Sequence, residues 1–308
     1  MVDIRALNDE YGIPGQVIFT EGPGGLVFVE LNNAYGCAVI TLQGGHLLSW
    51  VPRESRAVIW LSRDAKFAPG KSIRGGIPVC WPWFGDHPTE SAFPAHGFAR
   101  TTLWRVMAAE ETSVGVTRLV LNLEQSDDTR QRWPFSSDLF LSITLGVELV
   151  IELVTRNTGT TPITIGEALH TYFEVGDVRK IAIHGLDGCE YLDKVDGMAR
   201  KRQIGPIRFN SEVDRVYMDT AVDCFIDDPI LQRRIHINKR GSLSTVVWNP
   251  WLEKSAKMGD LGNDGYLKMV CVESANAVGN AVLIVAGDEN RLVTTYRIEP
   301  LPSHVVDI

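Results

Sequence analysis

Nothing in this chain pairs its cysteines. The five, at positions 37, 80, 189, 224 and 271, include no CxxC pair and no metal-ligand spacing. An odd number of them does not make a disulfide framework, so they read as reduced, mostly buried thiols of a cytoplasmic protein. A secretory leader is not expected either, because the N-terminal MVDIRALNDEYG carries charges where a signal peptide needs an apolar core. No apolar run approaches the roughly 20 residues of a membrane span, which removes a membrane partner from expectation. Positive charge is in deficit: 30 Lys and Arg against 38 Asp and Glu give a net −8, which argues against nucleic acid. An anion site on such a chain must be assembled locally from a few converging cations.

Helical periodicity is also scarce. It is confined to 124–132, ended by Pro134, and to 252–258 after Pro250. Strand patterns take its place. Apolar residues occupy 139, 141, 143 and 145, then 147, 149, 151 and 153, with Gly146 between them; this alternation predicts a hairpin. Similar β-branched runs recur at 26–31, 38–42, 114–123, 181–184, 245–248 and 292–298, punctuated by Gly, Asn, Asp or Pro. With 44% hydrophobic residues and no linker or repeat, the 308 residues are expected to form one all-β domain over 1–308. That domain is a large antiparallel sandwich with few short helices.

Polar groups set among apolar ones mark a pocket. The segment 71–85, KSIRGGIPVCWPWFG, and the following AHGFAR at 95–100 gather Arg74, His96 and Arg100 beside Trp81 and Trp83 at a Gly/Pro-rich corner. Farther on, alternation over 164–175 places Gly166, Ala168, His170, Tyr172 and Glu174 on one face. Alternation over 268–274 aligns Glu273 with Met269 and Cys271. A histidine and a buried carboxylate are the minimum equipment for moving a proton on and off a substrate. Taken alone, His170 reads as readily as a core histidine, Glu273 as half of a structural ion pair and Asp214 as a solvated loop charge. Lys71 and Arg63 read as surface charges. At least two of Trp81, Trp83 and Trp248 are expected in packing.

The order IRGGIPVCWPWFG, HGFAR, EALHTYF, then VVWNPW, KM.DLG and KMVCVE resembles the hexose-6-phosphate mutarotases, a branch of the aldose 1-epimerase superfamily. The resemblance runs from about Gly15 to Ile298 and implies the galactose-mutarotase-like super-sandwich. It implies that His170 is the general acid toward the sugar ring oxygen and Glu273 the general base toward the anomeric hydroxyl. Arg74 and Arg100 then contact the phosphate, while His96 and Asp214 bind the sugar. Such a reaction implies no cofactor, no metal and a small hexose 6-phosphate as partner of a monomer. Two departures stand out: Ser274 follows Glu273 where the family usually has proline, and Ala95 precedes His96 where some relatives have glutamine. Three other readings remain open at this level. They are a mutarotase of unphosphorylated aldoses, a glycoside hydrolase pairing Glu273 with Asp214, and a sugar-phosphate-binding protein without catalysis.

Overall fold

The alternating patterns fold as strands in a computed structural model that describes residues 2–302, with 47% of the chain in strand and 13% in helix. Two eight-stranded sheets dominate. In the back sheet the spatial order is Ala182–His184, Cys224–Asp228, Arg233–Arg240, Glu289–Pro300, Leu149–Asn157, Ser137–Leu145, Val116–Leu123 and Trp104–Ser113. The cleft sheet runs Ala199–Arg202, Glu190–Asp193, Val213–Tyr217, Ser244–Asn249, Met269–Asn276, Glu167–Leu169 and Val79–Cys80, and Tyr172–Glu174 also pairs with Met269–Asn276. Their ladders are antiparallel. A four-stranded sheet from Val17 to Pro52 adds a further layer of residues to the same core.

The sandwich closes because each central strand presents one apolar face to the other sheet. Val270 and Val272 of Met269–Asn276 share one buried cluster with Leu292 and Tyr296 of Glu289–Pro300. Phe173 meets Tyr296 edge to face at 5.2 Å, and Ser274 Oγ donates to Thr294 Oγ1 at 3.2 Å. A proline after Glu273 would bring no hydroxyl to that contact, so Ser274 is used as a link between the sheets.

The expected hairpin is present, with Leu145 paired to Leu149 and Gly146 in the turn. Val147, expected on the apolar face, instead sits at the turn and is 70% exposed. The two expected helices form at Asp127–Arg132, capped by Ser126 with a reciprocal bond to Thr129, and at Trp251–Met258. A helix at Ile4–Tyr11, capped by Asp3, was not signalled by periodicity over so short a length.

The segment 164–175 departs from expectation. It is three short strands, Ile163–Ile165, Glu167–Leu169 and Tyr172–Glu174, with His170 and Thr171 at the break between the last two. The break arises where the His170 N–H donates to Pro78 O and the Tyr172 N–H to Gly76 O, drawing the backbone onto the RGGIP segment. Alternation survives it: Ala168 and Tyr172 lie in clusters on the cleft side, while Leu169 and Phe173 lie in the sandwich core.

At the neighbouring corner the chain passes so close to itself that a side chain has no room. Gly97 has φ +70°, and a Cβ there would lie 1.8 Å from Trp81 O. Gly97→Ala is therefore expected to cost more than the ~1 kcal/mol of an incompatible backbone angle alone. Gly15→Ala, with similar φ (+75°) and nothing within 4 Å, serves as the comparison. Denaturant midpoints measure both; equal losses would contradict the steric reading.

Candidate active site

Strand register brings the chemistry together. On the cleft face one row across the sheet holds Asp214, Trp248, Cys271 and Tyr172, since Asp214 pairs with Trp248, Trp248 with Cys271, and Cys271 with Tyr172. The next row holds Val216, Val246 and Glu273, with His170 following from the break beside it. The two groups separated by 103 residues thus become neighbours: His170 Nε2 lies 3.4 Å from Glu273 Oε1. Tyr172 stacks on the imidazole at 4.9 Å between ring centres, and Trp248 meets it edge-on at 5.9 Å.

Two glycine-rich corners supply the remaining groups. In RGGIP, a Cβ at Gly76 (φ +69°) would meet His46 Nε2 at 2.4 Å. His46 Nε2 donates to Gly75 O at 2.8 Å and so holds the turn that presents Arg74. Arg74 Nε donates to Asp260 Oδ1 at 3.0 Å and its Nη1 to the Tyr172 hydroxyl at 3.0 Å. In AHGFAR, His96 takes a left-handed conformation, φ 64°, which costs a non-glycine residue energy and is kept where the surroundings enforce it. Its N–H donates to Gly85 O at 2.6 Å, and its Nδ1 accepts from the Gly85 N–H at 3.4 Å. Arg100 Nη2 donates to Ala95 O at 2.8 Å, so the backbone of residue 95, not its side chain, serves the site.

All six residues singled out in the sequence, Arg74, His96, Arg100, His170, Asp214 and Glu273, line a single cleft of about 310 Å³. Phe84, Tyr172, Lys194, Trp248 and Lys254 line it too. Of the three tryptophans, Trp81 and Trp83 belong to the core cluster and Trp248 to the cleft wall. Lys71 and Arg63 are exposed and do not line the cleft. Sequence reasoning passed over Lys194 and Lys254, which lie in a charged turn and on a short helix with nothing to set them apart. It also passed over Asp260, although that residue is the aspartate of the KM.DLG motif.

Burial governs the electrostatics. Glu273 is 1% exposed, and desolvation, reinforced by Asp214, pushes its carboxyl well above the usual range against the pull of Lys194 and Arg100. Desolvation likewise pushes the His170 imidazole well below its usual value, helped by His96, Arg100 and Arg74. Burial thus opposes charge on both members of the pair, and the proton they exchange belongs to the pair rather than to either group. Burial, then Arg100, Lys194 and Arg74, lower His96 to about 3. His96 is neutral with Nδ1 accepting, so its Nε2 carries the proton and is a donor. Asp214 is raised by burial in spite of Lys194 at 3.4 Å and Lys254 at 3.8 Å.

Buried polar atoms are almost always hydrogen-bonded. Here His170 Nδ1 and Glu273 Oε2 have no partner. Both belong to the pair, and unmet hydrogen-bonding capacity at the base of a cleft is what a polar ligand satisfies. The same pair and Cys271 bring three donor atoms within 4.8 Å of one another. A tetrahedral zinc ion needs donors about 3.3–3.8 Å apart and a deprotonated thiol. Burial holds the Cys271 thiol well above its usual pKa, so the donor set suits a metal poorly.

Comparison with known proteins gives the same picture. The chain matches the aldose 1-epimerase family over residues 28–297. It is 40% identical over 241 residues to a protein of Escherichia coli K12 named "Putative glucose-6-phosphate 1-epimerase", covering 78% of this chain and 80% of that one. A protein of the same name from Cenchrus ciliaris is 35% identical over 281 residues, covering 87% and 84%. Among solved structures, a "putative mutarotase" from Salmonella typhimurium superposes with a TM-score of 0.86 at 33% identity over 94% of this chain and 95% of that one. A galactose mutarotase-like protein from Lactobacillus casei shares the fold, with a TM-score of 0.68 at 14% identity over 88% and 100% of the two chains. With its sandwich, its cleft and a family match that spans most of its length, this chain belongs to the aldose 1-epimerase family.

Proposed function

We propose that this protein is a hexose-6-phosphate 1-epimerase that interconverts the α and β anomers of glucose 6-phosphate. The observation that carries the reading is a buried histidine–carboxylate pair with unpartnered atoms, in a cleft lined by four cations on a chain of net charge −8. In the reacting form Glu273 is the carboxylate and His170 the imidazolium, the other arrangement of the pair's single proton. Glu273 takes the proton of the C1 hydroxyl while His170 gives its proton to the ring oxygen. The C1–O5 bond breaks and C1 becomes the carbonyl of the open-chain aldehyde. After rotation about C1–C2 the O5 hydroxyl attacks the other carbonyl face, its proton returns to His170, and the new O1 takes the proton held by Glu273. Atoms and charge balance without a cofactor. His96 Nε2–H is a donor for the oxygen on which charge develops.

The sheet order favours one direction for the sugar. With O1 at Glu273 and O5 at His170, C5 and the phosphate-bearing C6 extend past His170 toward Tyr172 and Arg74, and C2 turns toward Trp248 and Asp214. Arg74 has a carboxylate partner in Asp260. Arg100 has none among the described residues and binds only a peptide oxygen through its side chain, which leaves its charge for the phosphate. Five unpaired cysteines favour a reducing, cytoplasmic setting, and one buried cluster that takes residues from Val17 to Tyr296 favours a single domain, read as a monomer.

Exchange NMR of glucose 6-phosphate and glucose anomers tests the function. The phosphorylated sugar is expected to exchange at least ~100-fold more efficiently, because two charge-assisted hydrogen bonds contribute ~1.5–3 kcal/mol each. Arg100→Ala removes most of that preference and Arg74→Lys weakens it, while neither slows glucose comparably. Equal turnover of both sugars by the wild type would refute phosphate recognition, and release of a sugar from a glycoside would point to hydrolysis.

His170→Ala and Glu273→Gln are each expected to lower kcat by ~10²–10⁴-fold. The dependence of kcat/KM on pH is expected to be bell-shaped. A second proton, added at the His170 side in acid, leaves no base; loss of the single proton, from the Glu273 side in alkali, leaves no acid. A rate that rises or falls in one direction only across the stable pH range would contradict a shared proton, and EDTA should change nothing.

A further inference from the structure

Beside the reacting pair, on the side away from the arginines, lies a charged group that the chemistry above does not use. We infer that Lys194 reads the C2 hydroxyl of the sugar, donating to its oxygen while Asp214, already implied by the resemblance to bind the sugar, accepts its proton. This rests on the epimerase reading, which places C2 on that side of Glu273.

Strand pairing makes the arrangement. Asp193 opposes Arg215 in the ladder between Glu190–Asp193 and Val213–Tyr217, so the next residue along, Lys194, comes beside Asp214. The turn that carries it is fixed from within: Asp193 Oδ1 accepts from the Val195 N–H at 3.1 Å, and Lys201 Nζ bridges Asp193 at 2.8 Å and Asp196 at 2.7 Å. Lys194 Nζ then stands 3.4 Å from Asp214 Oδ2 and faces the cleft.

The two lysines beside Asp214 are not equivalent. Lys254 is already paired with Glu212 at 2.6 Å and stands 3.8 Å from Asp214. Lys194 has no other carboxylate within ion-pair distance among the described residues. Its charge is also felt at Glu273 and at His96, which sets it near the anomeric centre. A carboxylate acceptor and an ammonium donor side by side match one hydroxyl, which both gives and accepts a hydrogen bond. A site built this way penalises an analogue that lacks the hydroxyl, because the buried Asp214 carboxylate then loses the donor that the hydroxyl supplies.

The test is exchange NMR of glucose 6-phosphate and 2-deoxyglucose 6-phosphate with wild type, Lys194→Met, Lys194→Arg and Lys254→Met. Wild type is expected to favour the 2-hydroxylated sugar by at least ~10-fold in kcat/KM, the effect of one charge-assisted hydrogen bond. Lys194→Met should bring the two sugars to within about threefold by slowing glucose 6-phosphate more than the deoxy sugar, since the lost pull of the lysine on Glu273 acts on both rates and cancels in their ratio. Its rate on the deoxy sugar then shows that the variant is folded. Lys194→Arg keeps a donor and should retain part of the preference, and Lys254→Met should retain all of it. No preference in the wild type, or equal slowing of both sugars by Lys194→Met, overturns the role of Lys194 while leaving the epimerase standing. A wild type that exchanges no glucose 6-phosphate anomers overturns the epimerase reading, and the role of Lys194 with it.

Discussion

Glu273 and His170 stand 3.4 Å apart with the carboxyl 1% exposed, so ionising either group forgoes hydration that the cleft does not replace. Desolvation drives both toward neutrality, and a single proton can serve either nitrogen or oxygen. That condition suits a reaction in which one proton leaves O1 as another reaches O5. Neither group needs to exchange with solvent during the cycle. The surrounding cations do not neutralise the carboxyl outright: Lys194 and Arg100 pull its proton affinity down, Asp214 pushes it up, and burial outweighs them.

The fold is arranged to keep the pair buried and accessible at once. Met269–Asn276 is buried along its whole length, with Val270 and Val272 against the back sheet and Cys271 and Glu273 toward the cleft. The break at His170 lets the RGGIP corner reach the same floor, since its carbonyls take the N–H groups that a continuous strand would have offered a neighbour. Close approach at Gly97 and Gly76 brings the two corners in. His46 supports the second of them and is held neutral, with burial lowering it to about 4.

Much of this was legible in the sequence because strand alternation survives folding. The face shared by Met269, Cys271 and Glu273 and the side on which His170 and Tyr172 lie follow from a period of two residues, which the break at 170–171 leaves intact. The hairpin around Gly146 and the helix after Pro250 follow from equally local signals. The partners of the site were less visible. Lys194 owes its position to the register of one ladder and Asp260 to a contact spanning 186 residues, neither of which leaves a trace in local composition. The two arginines looked alike in sequence, and only their surroundings separate Arg74, tied to Asp260 and Tyr172, from Arg100, tied to a peptide oxygen.

A neutral pair holding one proton is the condition on which the rest depends, and infrared difference spectroscopy reads it directly. Spectra of the free protein near neutral pH, with and without ¹³C-labelled glutamate and beside those of Glu273→Gln, would isolate the carboxyl of residue 273. The expected result is a protonated-acid C=O band that shifts with the label and is absent from Glu273→Gln. A carboxylate band assigned to Glu273 in its place, with His170 carrying a full imidazolium charge, would contradict it.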